Sequence, residues 1–256
     1  MSKTQKTFPS SFLLQNHSFL KKYLSAFILL FSIISLFLCT IWIIFPKYVS
    51  VSAGSNSIKK EHMKTIIIDA GHGGRDPGKV GTLETLEKDM NLKIALYLKE
   101  LLENQDLNVI MTRNEDKDLS KTSDNFKVSD MKERVALIQK SNADLVVSIH
   151  QNSYTDPQVY GAQCFYYSNS EEGKTLASIL QQQIINSTSQ TKIREIKSNN
   201  DYYLLKHSPL PTVIVECGFL SNSAEEQLLL TEEYQRKMAW AIHLGILQYL
   251  NCQNQP

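Results

Sequence analysis

From Lys64 to the C-terminus, short apolar runs alternate with segments of helical periodicity. The strand-like runs occupy residues 65–69, 108–112, 145–149, 161–167 and 213–216. The helical segments occupy residues 87–104, 131–140, 173–186 and 231–250, and Asp130, with Glu133 three residues on, predicts the start of the second. This alternation is typical of a single α/β domain in which a mostly parallel sheet is flanked by helices on both faces.

Polar residues stand at the ends of these predicted elements. His72 follows the first strand in a glycine-rich turn, His150 follows the third strand, and Glu216 ends the last one. Glu87 opens the first helix. The carboxyl ends of strands in an open α/β sheet form the crevice where ligands bind, so we expect these four side chains to converge. Two imidazoles and two carboxylates are the inventory of a catalytic zinc site.

Two of these candidates also have a structural interpretation. His72 fits a hydrogen-bonded turn equally well. Glu87 stands in a first helical turn, where a negative charge interacts favourably with the helix dipole. Glu216 is harder to explain by structure alone, because a carboxylate in an apolar setting must be paired, protonated or functional. Of the other histidines, His207 is a further candidate for the crevice, whereas His243 is expected on an ordinary helix surface.

The N-terminal quarter has a different character. Residues 23–45 contain no charged residue, and a helix of that length rises about 35 Å, enough to cross a hydrocarbon core of about 30 Å. We therefore predict a cytoplasmic arm over 1–22, a transmembrane anchor over 23–45, a linker over 46–63 and a catalytic domain over 64–256. The arm carries four lysines and no acidic residue, which places the domain outside the cytoplasm at the cell membrane. Cleavage after Val51-Ser52-Ala53, followed by secretion, is the competing interpretation.

Charge and cysteine content exclude other classes. The arm holds four of the 27 basic residues, which leaves 23 against 26 acidic residues and makes a nucleic-acid partner unexpected. Four widely spaced cysteines without a C-x-x-C motif indicate neither a disulfide framework nor a thiolate metal site. Cys217 is expected to be a small buried residue rather than a nucleophile. Motifs of serine hydrolases, zincins and P-loop proteins are absent from the sequence.

Four strings, taken together, resemble the type-3 family of zinc-dependent N-acetylmuramoyl-L-alanine amidases: Ile67–Gly74, Glu87–Asn91, Ser148–Asn152 and Val215–Asn222. The resemblance runs from about Lys64 to Leu250 and implies one Zn²⁺ held by His72, Glu87 and His150. It implies Glu216 as the catalytic acid and base. Gln151 and Cys217 depart from the commoner residues at their positions, and neither corresponds to a ligand.

Further strings resemble the germination-specific amidases of endospore formers: Met111–Arg113, Asp118–Ser120, Gly161–Tyr167 and Asp201–Lys206. This resemblance implies removal of stem peptides from peptidoglycan during formation of the muramic-δ-lactam of spore cortex, with a muramic acid deacetylase as functional partner. Two alternatives stay open at the level of sequence. One is a membrane-tethered peptidoglycan-binding module without catalysis, and the other is a different zinc peptidoglycan hydrolase, either a carboxypeptidase or a deacetylase.

Overall fold

The computed structural model describes residues 23–24, 26–40, 63–188 and 192–253. The chain divides into two units, Met1–Glu61 and His62–Pro256. In the first unit, residues 23–24 and 26–40 are helical. No helix within the described residues is long and apolar enough to span a membrane. The predicted arm over 1–22, most of the linker, and positions 25 and 41–45 of the predicted anchor lie outside the described residues.

The second unit is built on a six-stranded sheet with the spatial order β2-β1-β3-β6-β4-β5. Parallel pairing joins β1 to β2 and β3, β3 to β6, and β4 to β5, while β4 and β6 are antiparallel. The predicted α/β class is confirmed, and the sheet is mixed. The strands are β1 (Thr65–Ala70), β2 (Asn108–Met111), β3 (Leu145–Asn152), β4 (Gln163–Tyr166), β5 (Lys197–Ser198) and β6 (Thr212–Phe219).

The described residues of this unit form six helices in chain order: α1 (Glu87–Glu103), α2 (Phe126–Lys140), α3 (Glu171–Thr188), α4 (Tyr203–His207), α5 (Ser223–Leu230) and α6 (Glu232–Gln253). Side chains alternate between the two faces of a strand. Ile66 and Ile68 accordingly pack in the core formed with α1, α3 and α6, whereas Ile67 packs in the core formed with α2 and α4. Helices therefore cover both faces, as predicted, and β1 is buried along its whole length.

Two local predictions are wrong. Helix α2 begins at Phe126 after Asn125, rather than at Met131 after Asp130. The Asp130 carboxylate instead accepts hydrogen bonds from the backbone N–H of Leu119 at 2.6 Å and from Arg134 Nε at 2.7 Å. His243 was expected on a helix surface but is only 3% exposed. Its helix packs on both α1 and α3, which covers more of the helix than one apolar stripe predicts.

Candidate metal centre

The turn after β1 places His72. His72 adopts a left-handed conformation with φ 61°, and Gly73 and Gly74 also have positive φ. Two buried arginines hold this turn by its carbonyl groups: Arg113 Nη2 donates to Gly71 O at 3.0 Å, and Arg134 Nη2 donates to His72 O at 2.7 Å. These hydrogen bonds fix the turn to the sheet, although the hydrogen-bonding pattern of the strands does not continue through it.

Three of the predicted site residues converge. His72 Nε2 lies 3.2 Å from Glu87 Oε2, and His150 Nδ1 lies 2.9 Å from Glu87 Oε1. One ligand atom from each residue falls within 4.8 Å of the others. Ligand atoms around a tetrahedral zinc ion at about 2.1 Å are separated by about 3.4 Å, so these three atoms can share one ion with small adjustments. Within the described ranges, this is the one cluster of histidine, cysteine and acidic residues that fits a metal ion.

Glu87 is held by several donors at the start of α1. Its Oε2 accepts from the backbone N–H of Lys79 at 2.8 Å, and its Oε1 accepts from the backbone N–H of Gln151 at 3.1 Å and from Asn91 Nδ2 at 3.3 Å. Burial raises the pKa of Glu87, but hydrogen bonds and charge from His150 and His72 outweigh burial and hold this pKa well below its usual range. Glu87 is therefore a carboxylate, the form that binds a metal ion.

The same negative charge acts on His72. Burial lowers the pKa of His72, yet the neighbouring carboxylates of Glu87 and Asp76 raise it to about 9. The electrostatic potential that attracts a proton to this ring also attracts a divalent cation, and the two compete for the same nitrogen. The donor set and the charge of the pocket both fit a metal ion such as zinc.

Glu216 lies beside this cluster on β6, where it pairs with His150 across the β3–β6 ladder. It is 6% exposed, and its Oε2 has no hydrogen-bond partner among the described residues. Burial raises its pKa to about 7, and the negative charge of Glu87 adds to this effect against the opposing influence of His150. The side chain is therefore a buried carboxyl group that can both accept and give a proton near neutral pH.

A cavity of about 490 Å³ opens over the cluster and over Glu216. Sequence reasoning assigned no role to several side chains that line it, among them Asp76, Lys127, Asn152 and Tyr202. Burial and the negative charge of Glu216 raise the pKa of the Tyr202 hydroxyl group to about 12. In the sequence, Tyr202 was singled out only as a member of the string Asp201–Lys206, and that resemblance assigned it no role.

The remaining candidates lie away from the cavity. His207 is exposed, stacks on the Tyr203 ring at 4.2 Å and does not line the cavity, so the suggestion that it does is wrong. Cys217 is completely buried, as expected for a small core residue, and burial raises the pKa of its thiol well above the ordinary value. A thiol that stays protonated is a poor nucleophile.

Known proteins similar to this chain were found by sequence and by structure. Residues 66–248 match the family model described as N-acetylmuramoyl-L-alanine amidase. The germination-specific N-acetylmuramoyl-L-alanine amidase of Bacillus subtilis is 38% identical over 197 residues, which cover 75% of this chain and 82% of the relative.

Among solved structures, the CwlD amidase from Clostridioides difficile, in complex with the GerS lipoprotein, superposes with a TM-score of 0.72 at 44% identity. The match covers 74% of this chain and 99% of that one. An N-acetylmuramoyl-L-alanine amidase from Clostridium difficile 630 superposes with a TM-score of 0.68 at 33% identity, covering 75% of this chain and 99% of that one.

Proposed function

This chain belongs to the N-acetylmuramoyl-L-alanine amidase family, and on that premise we propose that its cavity hydrolyses the amide bond between N-acetylmuramic acid and L-alanine in peptidoglycan. The observation that carries the proposal is the convergence of His72, Glu87 and His150 within 4.8 Å beside the buried carboxyl group of Glu216. Three protein ligands with an open fourth position, next to a group that acts as acid and base, are typical of the active site of a metal-dependent hydrolase.

We infer that the metal is one zinc ion and that His72, Glu87 and His150 hold it. When bound, zinc polarises a carbonyl group and lowers the pKa of water at its open position to about 7. The chain supplies the remaining requirements. Glu87 stays ionised because two histidines and two backbone N–H groups surround it.

Glu216 performs the proton transfers in this proposal. Its carboxylate accepts a proton from the attacking water, and its protonated form gives that proton to the departing amine of L-alanine. A pKa of about 7 makes both forms available near neutral pH. Water becomes part of the new lactyl carboxyl group, the C–N bond breaks, and the stem peptide leaves with a free amino terminus.

The assignment of Glu216 is tested by Glu216→Gln, which keeps the size of the side chain and removes the proton acceptor. We expect this variant to retain zinc and to lose turnover by about 10²- to 10⁴-fold. His150→Ala should lose both zinc and activity. His207→Ala is the matched control, because it removes an exposed histidine outside the cavity and should change neither. Full activity of the Gln variant would contradict the role of Glu216.

The products released from purified peptidoglycan distinguish the proposed function from its alternatives. Mass spectrometry of purified peptidoglycan treated with the wild-type protein should show peptide-free muramic acid and intact free stem peptides. A peptidoglycan-binding module without catalysis would release no fragment. A carboxypeptidase would shorten the stem peptide, and a deacetylase would remove only acetyl groups. Either of these product patterns would contradict amide hydrolysis.

We further propose that the enzyme removes stem peptides during formation of spore-cortex muramic-δ-lactam. The proposal is supported by the germination-specific relative at 38% identity and the CwlD relative at 44% identity. Peptide-free muramic acid is the substrate that a muramic acid deacetylase requires next, so the two enzymes would act in succession. Cortex from cells lacking this protein should lack the lactam, and a Glu216→Gln allele should not restore it. Normal lactam content would contradict this role.

Attachment to the membrane remains a proposal from the sequence. The uncharged run over 23–45 and the lysines before it support a single-pass anchor with the enzyme outside the cytoplasm. The full chain should stay with membranes in alkaline carbonate and be released by detergent. A soluble mature chain that begins after Ala53 would instead support signal cleavage and contradict the anchor.

A further inference from the structure

Asp76 and His72 form a pair that the proposed chemistry does not use. His72 Nδ1 lies 2.7 Å from Asp76 Oδ2. The opposite ring nitrogen, Nε2, faces Glu87 Oε2 at 3.2 Å. Because an ionised carboxylate can only accept hydrogen bonds, this contact places a proton on Nδ1, and Nε2 is the ring nitrogen that can exchange its proton for a metal ion.

The backbone fixes Asp76 independently of its side chain. Gly73 and Asp76 form a bridge with two hydrogen bonds of 3.0 Å, from Gly73 N to Asp76 O and from Asp76 N to Gly73 O. The chain then passes so close to the cluster that a Cβ atom on Gly78 would lie 2.6 Å from Glu87 Oε2 and 2.8 Å from His72 Cδ2. This short loop therefore packs against both ligands and has little freedom to move away from them.

Lys127, on α2, holds the other oxygen of the same carboxylate. Its Nζ lies 2.7 Å from Asp76 Oδ1, and both residues line the cavity. The Lys127 side chain is 62% exposed and the Asp76 side chain 15%, so the contact joins the solvent side of the cavity to a largely buried group. Helix α2 and the turn after β1 are thus connected across the cavity through Asp76.

The two histidines differ in how firmly the fold holds their rings in place. His150 lies within β3, and its ring packs against Gly71, where a Cβ atom would lie only 2.3 Å away. His72 lies on a turn with positive φ and is fixed by no strand of its own. An outer carboxylate is therefore more important for the orientation of His72 than for that of His150.

We propose that Asp76 is a positioning residue that orients His72 for metal binding and that Lys127 holds Asp76 in place. The proposal rests on the metal site proposed above. Carboxylates that bind the second nitrogen of a metal-ligating histidine set its tautomer and increase its basicity, and their loss weakens metal affinity by about 10- to 100-fold.

The test measures zinc affinity of the purified full-length protein by competition with a chromophoric chelator. Asp76→Ala should weaken zinc binding by about 10- to 100-fold. Asp76→Asn should lie between wild type and Ala, because its amide oxygen still accepts the hydrogen bond but lacks the charge. Lys127→Met should weaken binding only about two- to fivefold, since an exposed ion pair contributes little.

Asp118→Asn is the matched control. Asp118 lies near the same turn and pairs with Arg75 at 2.9 Å, without contacting His72, so zinc affinity should equal that of wild type. Melting of the zinc-free proteins measures any general loss of structure. Unchanged zinc affinity in both Asp76 variants, or an equal loss in Asp118→Asn, would overturn this proposal alone. A wild-type chain that binds no zinc would overturn it together with the metal assignment.

Discussion

Gly71 shows at the residue scale how closely the site is packed. A Cβ atom at this position would lie 2.3 Å from both Cε1 and Nε2 of the His150 ring. No side chain other than hydrogen fits between β1 and this imidazole. The sequence indicated a turn here, but it did not indicate that the glycine makes room for a ligand from another strand.

We expect Gly71→Ala to displace the His150 ring and to weaken zinc binding by at least about tenfold, because metal sites tolerate displacements of only about half an ångström. The zinc content of the purified variant after dialysis against a weak chelator provides the measurement. Gly173→Ala is a suitable control, because its Cβ would also be crowded, 2.8 Å from Ser170 Oγ, but at the start of α3 and not against a ligand. Wild-type zinc affinity in Gly71→Ala would show that the ring is not held in this position.

Asp69 is a second residue whose importance lies in its contacts. It is 2% exposed and accepts hydrogen bonds from Arg134 Nη1 at 2.6 Å, from Ser148 Oγ at 2.6 Å and from Thr112 Oγ1 at 2.8 Å. Burial raises its pKa, but Arg134 and Ser148 outweigh burial and lower the pKa to about 2. The ionised form is thus the one that the fold stabilises.

This shift makes stability depend on pH. Since the pKa is lower in the folded chain than the ordinary value of 3.8, the contribution of Asp69 is complete above about pH 4 and is lost as the pH falls towards 2. A shift of this size corresponds to about 2 kcal/mol in the free energy of unfolding. Urea unfolding of wild type and Asp69→Asn between pH 2 and about 6 measures the difference. Parallel pH profiles for the two proteins would contradict this assignment.

At the scale of elements, α5 connects the end of β6 to the loop that follows β3. Its Glu225 side chain accepts hydrogen bonds from the backbone N–H of Phe219 at 2.9 Å and from the backbone N–H of Gly161 at 2.9 Å. Asn222 caps the same helix through a bond from Glu225 N to its side-chain oxygen at 3.0 Å. One short helix therefore joins the end of the strand that carries Glu216 to the loop after the strand that carries His150.

Glu225→Ala would leave two largely buried backbone donors without partners, which costs about 1–3 kcal/mol per group before any rearrangement. We expect a lower midpoint of urea unfolding and faster hydrogen exchange at the Gly161 amide. Glu225→Gln, which keeps one oxygen, should be affected less. Glu233→Ala removes an exposed carboxylate on α6 that pairs with Lys237, and no measurable change in stability is expected for this variant. Equal stability of Glu225→Ala and Glu233→Ala would contradict the role of α5.

Prediction of elements failed where local patterns compete with tertiary contacts. Asp130 and Glu133 match a capping pattern, but Asp130 lies inside α2, where it binds Arg134 and Leu119, and the helix begins five residues earlier than predicted. Helices α4 and α5 and the two-residue strand β5 are too short for a periodic pattern to identify. They form because the packing of longer elements supports them.

At the scale of the whole molecule, the site residues, the sheet and the helices that cover it all belong to the unit His62–Pro256. We expect a chain of residues 62–256 to fold, to bind zinc and to release stem peptides from solubilised peptidoglycan at the rate of the full chain. Circular dichroism, zinc content and peptide release measure these properties, with Glu216→Gln in the same background as the inactive control. Failure of the shortened chain to fold would show that the preceding residues are needed.

The sequence by itself determined the α/β class, the main helices and strands, and the candidates His72, Glu87, His150 and Glu216, because apolar periodicity and strand ends are local properties. Only the tertiary structure decided that β4 runs antiparallel to β6, that Asp76 supports His72 and that Gly71 accommodates His150. These features depend on contacts between residues far apart in the chain or on the course of a particular turn. The free energy of such contacts comes from packing and burial, which depend on the three-dimensional arrangement and cannot be predicted from a local sequence pattern.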